Sequence, residues 1–479
     1  MKAWVIESLS KSELIKIILD QAQIIGDLKI KIEDQERSHK KEIQVLTSKI
    51  EELTRASKRQ AAPFRRDEKK LKKKKKSPGQ KPGHKGDYRK FTGTPDQVID
   101  VKLTKCPGCG HSEFRDVKEI EQHVQDIEAR VVTTKLTTYR GRCCNCHKDV
   151  QTEHPLKISN AQGAAGTYVG PVARDLALKM TFKFGLTKRK VTKIFRETFG
   201  LRLSPGGLVH MSHKASDVLE DEYKDLKELV RASDVVHADE TSWYVGGPKN
   251  WLWVFTNKDF CLYHVINSRA RQVIIDILGE EYLGVLISDC LAIYDDVNEV
   301  QQKCYAHHLK ALSRAEQMVS DHPEDVKLIQ AIKDMLRSAI TIKTTRQEVN
   351  KSRYDTAIKN LENQANELIP SLSLLKDKEA RTPYREPTVG VLKRIAKQRD
   401  HLFTFLHYEN VDATNNLAER QLRPAVISRK LSCGNKTEKG AKTWCILTSL
   451  LQTWNQKEVS FKEKLKQAYH NYITRPIPT

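Results

Sequence analysis

Long apolar runs are missing from this chain, and one stretch of it has very few acids. No run of about 18 apolar residues occurs, which excludes a transmembrane helix and a membrane partner. The opening MKAWVIESLSKSELIKIILD has no basic leader ahead of a clean apolar block and no small-residue cleavage site. No signal peptide is therefore expected, and the expected compartment is the cytoplasm. Disulfides are not expected either. Of ten cysteines, five crowd into residues 106–146 and the rest are scattered, which in a cytosolic chain favours metal over cystine.

The shortage of acids falls between Arg55 and Lys90. Sixteen Lys and Arg residues stand there against Asp67, Glu68 and Asp87, a net +13 of the chain's +22. Such a block implies a polyanionic partner, with nucleic acid the first choice in the cytoplasm; a solubilising linker is the alternative. The segment KRQAAPFRRDEKKLKKKKKSPGQKPGHKGDYRK has too few apolar residues to bury a core. Residues 58–95 are read as a basic disordered linker. In it Lys72, Lys73, Lys74, Lys75 and Lys76 are candidates for tracking DNA phosphates, each contact adding salt dependence.

Local sequence patterns organise the rest into a multidomain α/β protein. Over residues 1–57, Ile18, Ile25, Ile32, Leu46 and Leu53 share a heptad position, interrupted at His39. Leu28, Ile43 and Ile50 form a second stripe, and the reading is an N-terminal coiled-coil multimerisation helix. Residues 96–158 read as a small β-rich unit carrying Cys106-x-x-Cys109 and Cys143-x-x-Cys146, four thiolates suited to structural Zn²⁺. Cys144 competes with Cys143, and His147 or His154 is an alternative to one sulfur; a β-hairpin is expected within DIEARVVTTKLTTYRGRC. Residues 159–230 read as a helix-turn-helix-like DNA-binding region, its second helix opening at Ser204-Pro205. There Lys188, Arg189, Lys190 and Lys193 are candidates for phosphate contact.

Beyond residue 230 the order is β-β-β-α-β, with carboxylates in unexpected places. Asp239 stands inside the apolar VVHADETSWYV, and Asp289 ends the strand GVLISDC. Laying the first strand beside the fourth brings the two acids together, while alternation turns Glu240 to the opposite face. Two close carboxylates repel, and a divalent cation is the usual remedy. A third acid, Glu419, sits on a helix; Asn416 shares its face and Arg423 lies one turn further. An exposed helix with a Glu–Arg pair is the plainer reading of that segment. Cys304-x-x-His307 is read either as a packed strand-to-helix junction or as support for the site, and His237 shares a strand face with Asp239.

The blocks HADETSW, LISDCLAIYD, KCYAHHLKAL and DATNNLAERQLRPAVISRK resemble, in order, those of the insertion-sequence 66 family of bacterial DDE transposases. The stretch LSCGNKTEKGAKTW departs from the family's aromatic-rich pattern. The resemblance implies an RNase H-like catalytic domain split into residues 231–310 and 406–456 by a helical insertion at 311–405, with a tail at 457–479. It implies Asp239, Asp289 and Glu419 as catalytic ligands of two Mg²⁺ or Mn²⁺ ions ~4 Å apart. His237, His307, Asn416, Arg420 and Arg423 would support the site or position phosphates. The implied partners are double-stranded DNA (terminal repeats and target), further copies of the chain in a synaptic complex, and accessory transposition proteins. A nucleoid-associated bacterial enzyme is the expectation. A metal-dependent nuclease that does not join strands, and a non-catalytic zinc-containing DNA-binding protein, are the competing readings.

Overall fold

The computed structural model describes residues 92–152, 168–377 and 383–474, together with scattered positions between 10 and 39. The heptad stripes fall almost wholly outside the described residues, as do Lys72–Lys76 and His154. The chain divides into two compact units, residues 1–125 and 126–479.

In the second unit the chain first pairs two short strands, β1 (Arg140–Arg142) and β2 (Asp149–Gln151), antiparallel around the turn holding Cys143 and Cys146. The hairpin expected across residues 126–143 does not form: residues 126–139 carry no regular structure. Alternating apolar residues are present, but Val131, Val132 and Leu136 remain exposed. Strands without an apolar face to bury are not held by pattern alone.

Next come α1 (Pro171–Leu178), extended by a π-helical turn over Lys179–Lys183, then α2 (Lys188–Phe199), α3 (Pro205–Val218) and α4 (Glu220–Arg231). The break between α2 and α3 is where the sequence placed it. Gly200 ends α2 with φ +72°, a left-handed conformation that costs glycine nothing. Ser204 opens α3 by accepting the Gly207 N–H at 2.9 Å, with Pro205 in the first turn. Val191 and Phe195 of α2 close against Leu208 of α3 in a small apolar core. That packing leaves Arg189, Lys190 and Lys193 exposed on the outer side of α2. Lys188 instead lies half-buried, its Nζ 5.7 Å from the centre of the Phe182 ring.

The centre of the unit is a five-stranded mixed sheet built from β3 (Val235–Tyr244), β4 (Lys249–Thr256), β5 (Cys261–Ile266), β6 (Val285–Ser288) and β7 (Gln301–Lys303). Its spatial order is β5-β4-β3-β6-β7. The first three strands form an antiparallel meander; β6 then pairs parallel to β3, and β7 parallel to β6. The crossover to β6 runs through α5 (Gln272–Leu278).

Alternation along β3 sorts its side chains. Val235 packs toward the core of helices inserted after β7, and Trp243 meets Trp444 with ring centroids 4.7 Å apart. Glu240 points the other way, toward Tyr294, whose ring also stands edge-on to Trp253 at 6.2 Å.

After β7 come α6 (Tyr305–Met318), α7 (Pro323–Thr344), α8 (Lys351–Leu368), α9 (Leu372–Lys376), α10 (Glu386–Lys397) and α11 (Thr404–His407). Their apolar faces close on one another and on Val285 and Ile287 of β6. Edge strand β7 is tied to them by the buried Gln302, whose Oε1 accepts the Phe405 N–H at 2.9 Å.

The chain then returns to the sheet with α12 (Asn416–Ser432), which packs against β3 and β4, followed by α13 (Glu438–Gln456) and α14 (Phe461–Thr474). Tyr263 of β5 donates its hydroxyl to the Gln421 carbonyl at 2.7 Å, fixing α12 over the meander. Among the described residues no helix is long and apolar enough to cross a membrane.

Candidate active site

Parallel pairing of β3 with β6 aligns His237 with Ile287. Two residues further along each chain come Asp239, midway along β3, and Asp289, just past the end of β6, so the acids stand side by side. Asp239 is held well above the usual carboxylate range, first by burial, then by Glu240, Asp289 and Glu419; the Glu240 N–H, donated to its Oδ1 at 2.9 Å, opposes the shift. Two acids distant in sequence, Asp289 and Glu419, and one neighbour, Glu240, therefore act on one carboxyl group. Asp289 turns its own chain: its Oδ1 accepts the Leu291 N–H at 3.0 Å.

Glu240 belongs to a separate network. Its side chain is buried, accepts Arg269 Nε at 2.9 Å and Nη2 at 2.6 Å, and takes the Tyr294 hydroxyl in a short contact. Burial still raises its pKa, against the Tyr294 and Arg269 bonds that lower it. Lys303, fully buried at the end of β7, stands behind β6 with its Nζ 3.4 Å from Asp295 and 3.3 Å from Ser288 Oγ. Burial lowers its pKa, while Asp295 and, more weakly, Cys290 and Asp289 raise it. This lysine has no distinctive sequence signal; only the sheet order brings it to the acids.

The segment before α12 locks the third acid in place, but through a different residue from the one expected. Asn416 is exposed, and Asn415, at the helix N-cap, makes no side-chain cap bond. Asn415 is instead buried and reaches across to β3. Its Nδ2 donates to the Ala238 carbonyl at 2.7 Å, and its Oδ1 lies 3.2 Å from His237 Nδ1. Its backbone N–H meets Cys304 Sγ at 3.1 Å. His237 is thereby buried as a positioning group, its pKa lowered first by burial, with Asp412 and Asn415 opposing and Arg420 assisting. Arg420 and Arg423 are exposed on α12. At the far end of that helix Arg429 donates to Thr241 Oγ1 at 3.2 Å and Ser242 Oγ at 2.6 Å.

Replacing Asn415 with Ala strips the Ala238 carbonyl of this donor inside a dry junction. An expected loss of about 2 kcal/mol follows, read as a lower urea midpoint with unchanged slope.

The three catalytic candidates do not form the tightest ligand group. Among the described residues, the three side chains whose ligand atoms lie within 4.8 Å of one another are Cys304, His307 and Glu419. The Cys304-x-x-His307 element is thus both a packed strand-to-helix junction and a neighbour of the third acid. The spacing within this motif was legible in the sequence; its meeting with Glu419 was not.

The two cysteine knuckles, each considered alone, share one backbone pattern. Cys106 N–H donates to the His111 carbonyl and Gly110 N–H to that of Cys106; Cys143 N–H donates to Lys148 and His147 N–H to Cys143. Gly110 and His147 both have positive φ, +79° and +55°. In each turn the backbone N–H groups of the second and third following residues lower the pKa of the first thiol, Cys106 or Cys143. The second turn therefore begins at Cys143, with Cys144 exposed inside it.

The fold and site define an α/β protein with acids on adjacent parallel strands, one midway along β3 and one just past β6, under a capping helix. Residues 167–443, more than half of the chain, match the transposase IS66 family, and the protein belongs to that family. It is also similar to an uncharacterized protein, y4qI, of Sinorhizobium fredii, with 24% identity over 267 residues. That match covers 50% of this chain and 48% of the relative, so the chain spans about half the length of the curated protein it matches.

Proposed function

We propose that this chain is a DNA transposase whose sheet is an RNase H-like catalytic domain with Asp239, Asp289 and Glu419 as its acidic triad. One observation carries the reading: the buried Asp239 feels both Asp289 and Glu419, delivered by β3, β6 and α12. Carboxylate oxygens gathered about one buried carboxyl group in a low-dielectric site have the chemistry of a divalent-cation cage, so these residues fit Mg²⁺ or Mn²⁺. When bound, a pair of such ions supplies the charge that activates an attacking oxygen and stabilises a leaving one.

The chain's own residues prepare that chemistry. Asp239 projects from the middle of β3 and Asp289 from just past β6, and Asn415 and His237 fix the approach of α12 and hence of Glu419. Arg420 and Arg423, exposed beside Glu419, are suited to hold DNA phosphates by charge-assisted bonds. Arg189, Lys190 and Lys193 offer a second basic row on α2. Each cysteine knuckle, taken by itself, places backbone donors on its first sulfur, as suits a thiolate ligand of Zn²⁺. In this reading water attack at the element's end frees a 3′-hydroxyl. That hydroxyl then displaces a phosphodiester of target DNA, with copies of the chain and accessory proteins holding two ends together.

The test is a nicking and joining assay with the full-length protein, Mg²⁺ and DNA carrying the repeats that flank its own gene. The expected products are 3′-end nicks and joined strands, both lost in Asp289→Asn. Nicks without joining would reassign the chain as a nuclease. Binding with no Mg²⁺-dependent product, with cell extract added, would leave a DNA-binding protein.

A further inference from the structure

Cys304, His307 and Glu419 bring together three different donor types, and their surroundings favour a metal more than a packed junction does. Cys304 caps the N-terminus of α6, where its sulfur accepts the Asn415 N–H at 3.1 Å. Burial pushes the Cys304 thiol up to about 11, against the Asn415, His307 and Ala306 N–H groups that lower it, so a cation entering here must displace a proton. His307 Nδ1 is buried with no hydrogen-bond partner, an orphaned nitrogen one helical turn from that sulfur. Glu419 completes the set from α12, its ligand atom within 4.8 Å of the other two. Tetrahedral Zn²⁺ with bonds of about 2.0–2.3 Å holds its donors about 3.5 Å apart, so the three need draw in by only about 1 Å.

We propose that Cys304, His307 and Glu419 bind a single borderline-soft divalent cation, Zn²⁺ foremost, and that this ion inhibits the enzyme by withdrawing Glu419 from Asp239 and Asp289. Thiolate and imidazole select Zn²⁺ strongly over Mg²⁺, whereas the acid cluster offers oxygen alone. Binding releases the Cys304 thiol proton to solvent and leaves a fourth coordination position open. The site stands on its own geometry; the inhibition rests on the transposase reading above.

The deciding experiment counts Zn²⁺ per full-length chain by equilibrium dialysis and elemental analysis, comparing wild type with Cys304→Ser, His307→Gln and Glu419→Gln. All four proteins keep both cysteine knuckles, so metal held there cancels in the comparison. Wild type is expected to bind one Zn²⁺ more than each variant whose thermal transition matches wild type. Glu419→Gln, at a half-buried position on a helix, keeps the test open where replacing the buried Cys304 disturbs folding. Equal counts in wild type and folded variants would overturn the site.

In the second arm, free Zn²⁺ at about ten times its dissociation constant leaves about one chain in ten active, an about tenfold fall in Mg²⁺-dependent nicking. Cys304→Ser, measured against its own zinc-free rate, should show no such fall. Extra zinc with undiminished nicking would overturn the withdrawal of Glu419. A chain that never nicks would overturn the transposase reading while the zinc count still decides the site.

Discussion

Asp239→Asn is expected to lower DNA nicking by about a thousandfold or more. Loss of a ligand that holds charge opposite the reacting phosphate forfeits several kcal/mol of transition-state stabilisation, and about 4 kcal/mol is a thousandfold in rate. The same change should leave the fold intact or firmer without metal. Asp239 is buried among acids and held well above its usual range, so it opposes folding once ionised. Its sign follows from linkage. Below about pH 4 folded and unfolded chains both carry the proton; as pH rises the unfolded chain releases it first, so this group removes stability through the window up to its raised folded value. Asn has no such proton. Thermal melting in chelator from acid to neutral pH should show wild type losing stability relative to Asp239→Asn as pH rises, and saturating Mn²⁺ should stabilise wild type more than the variant. Equal rates of nicking in both proteins would remove Asp239 from the chemistry.

Gly434→Ala should destabilise the second unit by about 3 kcal/mol or more, from left-handed strain plus a backbone clash. Gly434 has φ +90°, and an added Cβ would stand 2.3 Å from the Tyr244 carbonyl oxygen. Backbone cannot yield there cheaply, because that oxygen also accepts the Asn435 N–H at 2.9 Å. Asn435 in turn takes the Trp243 indole N–H on its Oδ1 at 2.8 Å and the Gly246 N–H on its carbonyl at 2.9 Å. The loop between α12 and α13 therefore clamps the far end of the strand that carries Asp239. A urea midpoint shifted well down, with nicking reduced in proportion to the unfolded fraction, is the expected result. An unshifted midpoint would mean that the loop yields freely.

The clamp lies in LSCGNKTEKGAKTW, the stretch where the sequence departs from its family's pattern, and nothing in its composition announced it. Its role depends on a bridge between Val245 and Asn435, almost two hundred positions apart. What was legible in the chain was local or periodic. The apolar run around Asp239 marked a strand with a carboxylate inside it, and Gly200 with Ser204-Pro205 marked the break between α2 and α3. The order of strands then placed β3 beside β6. The expectation for residues 126–143 failed because alternation alone supplies no apolar face to bury. The helical spacing of Asn416 from Glu419 is visible in the sequence, whereas the reach of Asn415 to Ala238 depends on how α12 docks. Lys303 and the meeting of Cys304 and His307 with Glu419 were hidden for the same reason.

In the proposed active site Asp239, Asp289 and Glu419 share one cation site. Replacing Mg²⁺ with Fe²⁺ in the full-length protein and adding ascorbate and peroxide generates hydroxyl radicals at the bound ion, which cut the nearby backbone. Fragment mapping by mass spectrometry should find cuts grouped around Asp239 in the middle of β3, just past β6, and in the first turn of α12, all suppressed by excess Mg²⁺ and by Asp289→Asn. Cuts at β3 and β6 with none at α12, or cuts that Asp289→Asn leaves unchanged, would contradict it.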